Sequence, residues 1–237
     1  MVYTGIARTI IGIIGNVTSF FLFLSPVPTF IKIHKLGSVE EFKPDPYVAA
    51  VLSCMMWVFY GLPIVHPDSI LVVTISIIGL AIELSYVTLF IIYSPWAKRR
   101  RILLYLVIEV IFMAIIVFIT LQFLHTTKAR SMIVGILCIF FSIAMYASPL
   151  TVMKMVIKTK SVKYMPFYLS LANLLNGIIW AIYAILKFDP YVLIPNGLGA
   201  LSGMAQIILY ATYYKTTQWH ENEEERPKPD VQLSNNV

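Results

Sequence analysis

Residues 19–39 read SFFLFLSPVPTFIKIHKLGSV, and residues 142–162 read SIAMYASPLTVMKMVIKTKSV. At a constant offset of 123 residues, Ser19 falls on Ser142, Ser25 on Ser148, Pro26 on Pro149, Lys35 on Lys158, Ser38 on Ser161 and Val39 on Val162. The same offset carries Gly12 onto Gly135, Trp57 onto Trp180, Tyr60 onto Tyr183 and Pro67 onto Pro190. Apolar matches are cheap in a chain this apolar, whereas matches of Trp, Pro, Tyr and Lys are not. The chain contains an internal duplication.

Around these stretches lie seven long apolar runs: residues 9–31, 46–65, 69–97, 102–124, 131–153, 164–186 and 190–214. Within them the only Asp, Glu, Lys or Arg side chains are Glu83 and Glu109. About 20 mostly apolar residues cross a hydrocarbon core about 30 Å thick, and each run is long enough. None alternates as a strand would, and in lipid a helix satisfies its own backbone. Charged residues are 13% of the chain and its mean hydropathy is +0.80, against about 25% charged in a soluble domain. The predicted fold is an all-α membrane protein of seven spans, with the first run retained rather than cleaved as a signal peptide.

The net charge of +6 reports topology rather than nucleic-acid binding, because the cations sit in short connections. Fourteen Lys and Arg residues fall in the first, third and fifth connections and the tail; four (Arg8, Lys128, Arg130 and Lys187) fall on the other side. The positive-inside rule places the N-terminus outside and the C-terminus in the cytoplasm. Residues 218–237, with four Glu and little apolar surface, are expected to form a disordered cytoplasmic tail. Cys54 and Cys138, both inside apolar runs, read as small core residues.

The duplication relates spans one to three to spans five to seven and leaves span four as a linker. Three spans would invert the second copy, and the linker restores its direction. The result is two parallel three-helix bundles joined by a linker helix (3+1+3): residues 5–97, 98–127 and 128–215, with a tail from 216 to 237. Parallel repeats about an axis along the membrane normal are a transporter architecture. They count against a seven-helix receptor, which has no such duplication.

Several residues in the spans carry chemistry. Pro26 and Pro149 interrupt spans, while Pro46 and Pro166 begin them; these four are either hinges or, for the latter pair, ordinary helix starts. Trp57 and Trp180 sit about halfway through their runs. Two indoles plus amides or hydroxyls suit a neutral polyol, with C–H faces on the rings and hydroxyls on the polar groups. Asn173, Asn176 and Asn196 are amides that must face a cavity or a neighbouring helix. Glu83 and Glu109 are candidate proton carriers; Glu83 pairs with Gln206 under the offset and has no embedded His or Arg partner, which favours uncoupled transport. Gly199 and Gly203 form a GxxxG contact motif, and Asn16 heads a glycosylation sequon that lies within a span. No metal cluster, phosphate loop or nucleophile–base arrangement can be assembled, so neither an enzyme nor a cofactor is expected.

Residues 23–30 (FLSPVPTF), 46–60 (PYVAAVLSCMMWVFY), 146–167 (YASPLTVMKMVIKTKSVKYMPF) and 191–199 (YVLIPNGLG) closely resemble the SWEET family of sugar uniporters, a eukaryotic family best known from plants. The resemblance covers roughly residues 5–215. It implies a bidirectional sugar uniporter, of the monosaccharide type, in the plasma or vacuolar membrane, working as a homo-oligomer in the lipid bilayer. It implies a proline tetrad (Pro26, Pro46, Pro149 and Pro166) and a sugar pocket of Ser53, Trp57, Ser76, Asn176, Trp180 and Asn196. Leu22 and Met145 fall where the family narrows its pocket, and Tyr60 and Asp189 where it has an extrafacial gate. Ser76 departs from the family's usual asparagine, replacing an amide with a single shorter hydroxyl. The rival readings are a proton-coupled amino-acid transporter of the PQ-loop type and a seven-helix receptor.

Overall fold

The computed structural model describes residues 2–39, 42–217 and 219. Among these there is no strand, and the helices are α1 (Val2–Phe23), α2 (Val27–Leu36), α3 (Asp45–Gly61), α4 (Ile70–Tyr93), α5 (Trp96–Phe123), α6 (Thr127–Met145), α7 (Ala147–Thr159), α8 (Phe167–Leu186) and α9 (Pro190–Tyr213). They make seven spans, because α1 with α2 and α6 with α7 are single spans broken by a turn. Six spans are long and apolar enough to cross a membrane. The seventh, α3, has 17 residues, at the short end of what crosses a bilayer. The protein is an integral membrane protein with 3+1+3 architecture.

Both breaks follow from proline. Pro26 has no N–H to give the Leu22 carbonyl, which takes Ser25 N–H instead at 3.1 Å, and Val27 N–H bonds Leu24 at 3.0 Å. The helix tightens for one turn and restarts with Pro26 as the N-cap of α2. Pro149, in the first turn of α7, leaves the Met145 carbonyl without its helical partner, and α6 ends there. Elsewhere the ends are stopped by local chemistry. Gly37 closes α2 at φ 64°, the left-handed conformation that glycine adopts without strain. The Thr126 hydroxyl accepts Ala129 N–H to start α6.

In each half the third helix lies between the other two: α4 between α1–α2 and α3, and α9 between α6–α7 and α8. The halves meet where α1 packs on α8 and α3 on α6. This exchange of first helix for second is what a twofold axis produces. Past the proline breaks, α2 packs on α4 and α7 on α9, and neither touches the opposite half.

The cores follow the same division. One cluster joins both halves and includes Met56, Tyr60 and Val65 from the first and Val134, Trp180 and Tyr183 from the second. A second cluster around Phe30, Ile33, Tyr86 and Phe90 belongs to the first half, with Ile102 of α5. A third, Met153, Val156, Val162 and Met165, belongs to the second half. The halves are therefore fused at the end carrying Asp189 and separate at the end carrying the prolines.

Of the tail expected to stay unfolded, Thr216, Thr217 and Trp219 are described and the rest lies outside the described residues. Thr216 donates to the Lys160 carbonyl at 2.7 Å, and Thr217 accepts Val162 N–H at 2.9 Å.

Candidate functional site

The reciprocal packing leaves a cavity of about 230 Å³ between the halves. Ser53, Trp57, Ser76, Asn176, Trp180 and Asn196, named separately along the sequence, all line it, as does Met145. Leu22 is half-buried but does not line the cavity, and Asn173 is exposed away from it. Pro26 and Pro149 are partly buried at the breaks, while Pro46 and Pro166 are exposed at the starts of α3 and α8.

Two residues outside the expected set organise the cavity. Trp180 Nε1–H donates to Ser19 Oγ at 2.9 Å, and Trp57 Nε1–H donates to Ser142 Oγ at 3.3 Å. The indoles are repeat mates, and so are the serines. Each half thus fixes the indole of the other. A serine in an apolar run usually bonds its own helix, so nothing in the sequence singles these two out until the indoles are placed. Gly15 is required beside Trp180, whose ring would lie 2.9 Å from an added Cβ.

Among the described residues the relay continues in one half only. Ser19 Oγ–H donates to Asn176 Oδ1 at 2.8 Å, and Thr18 Oγ1 lies at the same distance. With its oxygen held this way, Asn176 turns its NH₂ group to the cavity as a donor. Asn196 is held oppositely: Nδ2 donates to the Val192 carbonyl one turn back at 2.8 Å, leaving Oδ1 as an acceptor. The repeat mate of Asn176 is Ser53. The cavity's amides therefore come from the second half, and the first half supplies the hydroxyls of Ser53 and Ser76.

Towards the Asp189 end the cavity is shut. Tyr60 is 0% and Asp189 1% exposed, and the Tyr60 hydroxyl donates to Asp189 Oδ1 at 2.8 Å. The same oxygen accepts Tyr191 N–H at 3.0 Å and Val192 N–H at 3.2 Å, capping α9. Nearby, Arg8 donates to the Asp68 carbonyl at 2.7 Å and lies over the Tyr183 ring, and Lys187 pairs with the Asp68 carboxylate. That bond holds the Asp68 carboxyl below its ordinary value. Burial pushes the His66 imidazole below its own, while Asp189 pulls it up and Arg8 and Lys187 press it down.

The other residues singled out in the sequence are placed as follows. Asn16 uses both amide atoms inside the bundle: Nδ2 donates to Gly12 and Leu71 carbonyls, and Oδ1 accepts Thr74 Oγ1–H. Gly203 lets α9 touch the α8 backbone at Leu174, and Gly199 makes room for the Tyr146 hydroxyl, which bonds the Pro195 carbonyl at 2.6 Å. Glu83 and Glu109 are buried, each with one carboxyl oxygen that no side chain or backbone group bonds among the described residues. Cys54 and Cys138 are free thiols; Cys54 lines the cavity. No group of His, Cys, Asp and Glu capable of holding a metal occurs among the described residues.

Comparison with known proteins agrees with this frame. A family model described as "Sugar efflux transporter for intercellular exchange" matches residues 9–98 and again 132–218, two segments whose starts are separated by the repeat offset. The chain is 65% identical over 222 residues to a bidirectional sugar transporter, SWEET5, of Arabidopsis thaliana, covering 94% of this chain and 92% of that protein. It is 59% identical over 218 residues to the bidirectional sugar transporter SWEET4 of Oryza sativa subsp. japonica, covering 92% and 84%. The solved structure of a eukaryotic SWEET transporter superposes with a TM-score of 0.86 at 38% identity, covering 90% of this chain and 99% of that one. With its duplicated bundle, its seven spans and its interfacial cavity, the chain belongs to the SWEET family of sugar transporters.

Proposed function

We propose that this chain is a bidirectional sugar uniporter that carries a monosaccharide such as glucose down its gradient by alternating access. The observation that carries the reading is the cavity itself: it lies between two equivalent bundles, is lined by a pair of repeat-mate indoles, and is closed at one end. Trp57 and Trp180 offer ring faces to the C–H surface of a pyranose. Asn176 offers a donor, Asn196 an acceptor, and Ser53 and Ser76 adaptable hydroxyls. The first half's hydroxyls reach less far than amides, so the sugar is held mainly by the second half. Met145, on the cavity wall, limits the size of what enters, a role that Leu22, off the wall, does not share.

The moving units are residues 5–97 and 128–215, linked by 98–127. Pro26, Pro46, Pro149 and Pro166 are the hinges, and Tyr60 with Asp189 is the gate on the far side. The lysine-rich connections put the proline end in the cytoplasm and the N-terminus outside, in the plasma or vacuolar membrane. The chain works as a homo-oligomer, a state that light scattering in detergent reads directly.

The test is flux of labelled glucose through liposomes holding the full chain. The expected result is equal influx and efflux at equal gradients, with no response to a pH gradient and no competition by amino acids. Proton-driven accumulation abolished by Glu83→Gln supports the amino-acid transporter instead. Binding without flux supports a receptor.

A further inference from the structure

Under the 123-residue offset, His66 of the first half corresponds to Asp189 of the second. The two meet: His66 Nε2 lies 3.3 Å from Asp189 Oδ2. A residue that touches its own counterpart sits on the pseudo-twofold axis, and because both lie in loops at the same end, the halves point the same way. We propose that His66 and Asp189 form an on-axis latch, making His66 a third gate residue that holds the halves together while the cavity is open at the proline end. The proposal rests on the transport reading above.

The hydrogen bonds leave this role open for His66. Asp189 Oδ1 already takes Tyr60, Tyr191 and Val192. Oδ2 is buried and receives no hydrogen bond among the described residues; His66 Nε2, 3.3 Å away, is the ion-pair partner set against it, and without that pairing it is a stranded carboxylate oxygen, a costly arrangement. Ser131 gives its proton to the Val65 carbonyl, so Nδ1–H donates to Ser131 Oγ, and it is the doubly protonated imidazole that also presents Nε2–H and a positive charge to Asp189.

The ring is also held in place. It stacks on Tyr60 with centroids 4.8 Å apart and planes 18° from parallel. Its other nitrogen lies 3.0 Å from Ser131 Oγ of α6, whose hydroxyl reaches back to the Val65 carbonyl at 2.6 Å. His66 thus bridges from the first half to two elements of the second. The nearby cations are engaged elsewhere: Arg8 bonds the Asp68 carbonyl and Lys187 the Asp68 carboxylate.

Position on the axis explains the residue types. A fresh duplication places identical groups face to face there. Two carboxylates this close cannot both be ionised, whereas an acid and an imidazole attract. Tyr60 and Tyr183, which lie off the axis, are unchanged mates; His66 and Asp189, which lie on it, have diverged into complements.

Cys54 in the cavity is a built-in reporter of access, while Cys138 is fully buried. The experiment measures modification of Cys54 in sided liposomes by an impermeant methanethiosulfonate added at the Asp189 end, each variant referred to wild type at the same pH. His66→Asp is expected to label about tenfold faster near pH 7.5 and to return towards wild type near pH 5, where one of the two carboxyls takes up a proton and the repulsion is relieved. His66→Gln, whose amide nitrogen overlies Nε2 and keeps a donor to Asp189, stays within about threefold of wild type at both values.

Equal labelling of wild type and His66→Asp at both pH values overturns the latch, and so does a pH-independent acceleration, which reports lost packing alone. If His66→Asp does not reconstitute, His66→Gln is compared with His66→Ala: faster labelling of the alanine variant supports the latch, and equal labelling overturns it. Glucose counterflow in the same liposomes judges the transport reading separately. Its absence from wild type removes the function, while the labelling contrast stands or falls by itself.

Discussion

At the Asp189 end, side chains from both halves share one core around Tyr60, Val65, Trp180 and Tyr183. At the proline end, Phe30 and Phe90 pack within the first half and Met153 and Met165 within the second. The chemistry differs in the same way. Tyr60, Asp189 and His66 link the halves by buried polar contacts, whereas beyond Pro26 and Pro149 neither α2 nor α7 reaches across. A molecule built this way has one end where the halves are joined and one where they are not. Rocking requires the shared core to loosen as the separate cores approach, so the contacts at the Asp189 end set the balance between the two states.

The largest expected effect comes from the shared core. Trp180→Ala removes a buried indole and its cross-interface bond, costing about 3–5 kcal/mol, and should both lower the melting temperature and speed labelling of Cys54 from the Asp189 end. Met165→Ala, in the core of the second half alone, should cost about 2–5 kcal/mol while leaving that labelling unchanged. If both variants open the Asp189 end equally, the two ends are not independent and the contrast fails.

Tyr60→Phe comes next. It deletes one hydrogen bond to a carboxylate, worth about 1.5–3 kcal/mol, and leaves the ring stack on His66. Faster labelling at the Asp189 end is expected, with a melting temperature lowered by less than in Trp180→Ala. Glu83→Gln is smaller. Its mate Gln206 accepts a hydrogen bond from Ser170 at 2.8 Å, while Glu83 leaves an oxygen unbonded. The amide should be neutral or stabilising by about 1 kcal/mol, with glucose flux unchanged at every pH.

The smallest effect is at the rim. Lys187 holds Asp68 below its ordinary pKa, so this tie is complete above about pH 4 and is lost as pH falls through the depressed value. Both groups are exposed, so Asp68→Asn should alter labelling little, and only above that pH.

The duplication, the seven spans and the broken helices were readable because Pro, Trp and Tyr recur at one offset and charge is confined to the connections. The cavity residues were readable where a polar group stood mid-span or where the family resemblance named it. What was not readable follows from physics. Ser19 and Ser142 match each other, but a hydroxyl in a helix gives no sign that it will meet an indole from the opposite bundle. His66 was missed for the opposite reason. A search for identical residues passes over mates that differ, and on the axis difference is what the electrostatics favour. The division into one shared core and two separate ones depends on which state the halves occupy, and both states use the same sequence.

The central claim is that a sugar is held between the halves, mainly by amides of the second. Counterflow of labelled glucose in liposomes, wild type against Asn196→Ala, tests it most directly, because Asn196 leaves Oδ1 as an acceptor on the cavity while its NH₂ donates to Val192 of its own helix. Loss of exchange by a variant that remains folded and monodisperse is the predicted result. Equal exchange by both proteins would contradict it.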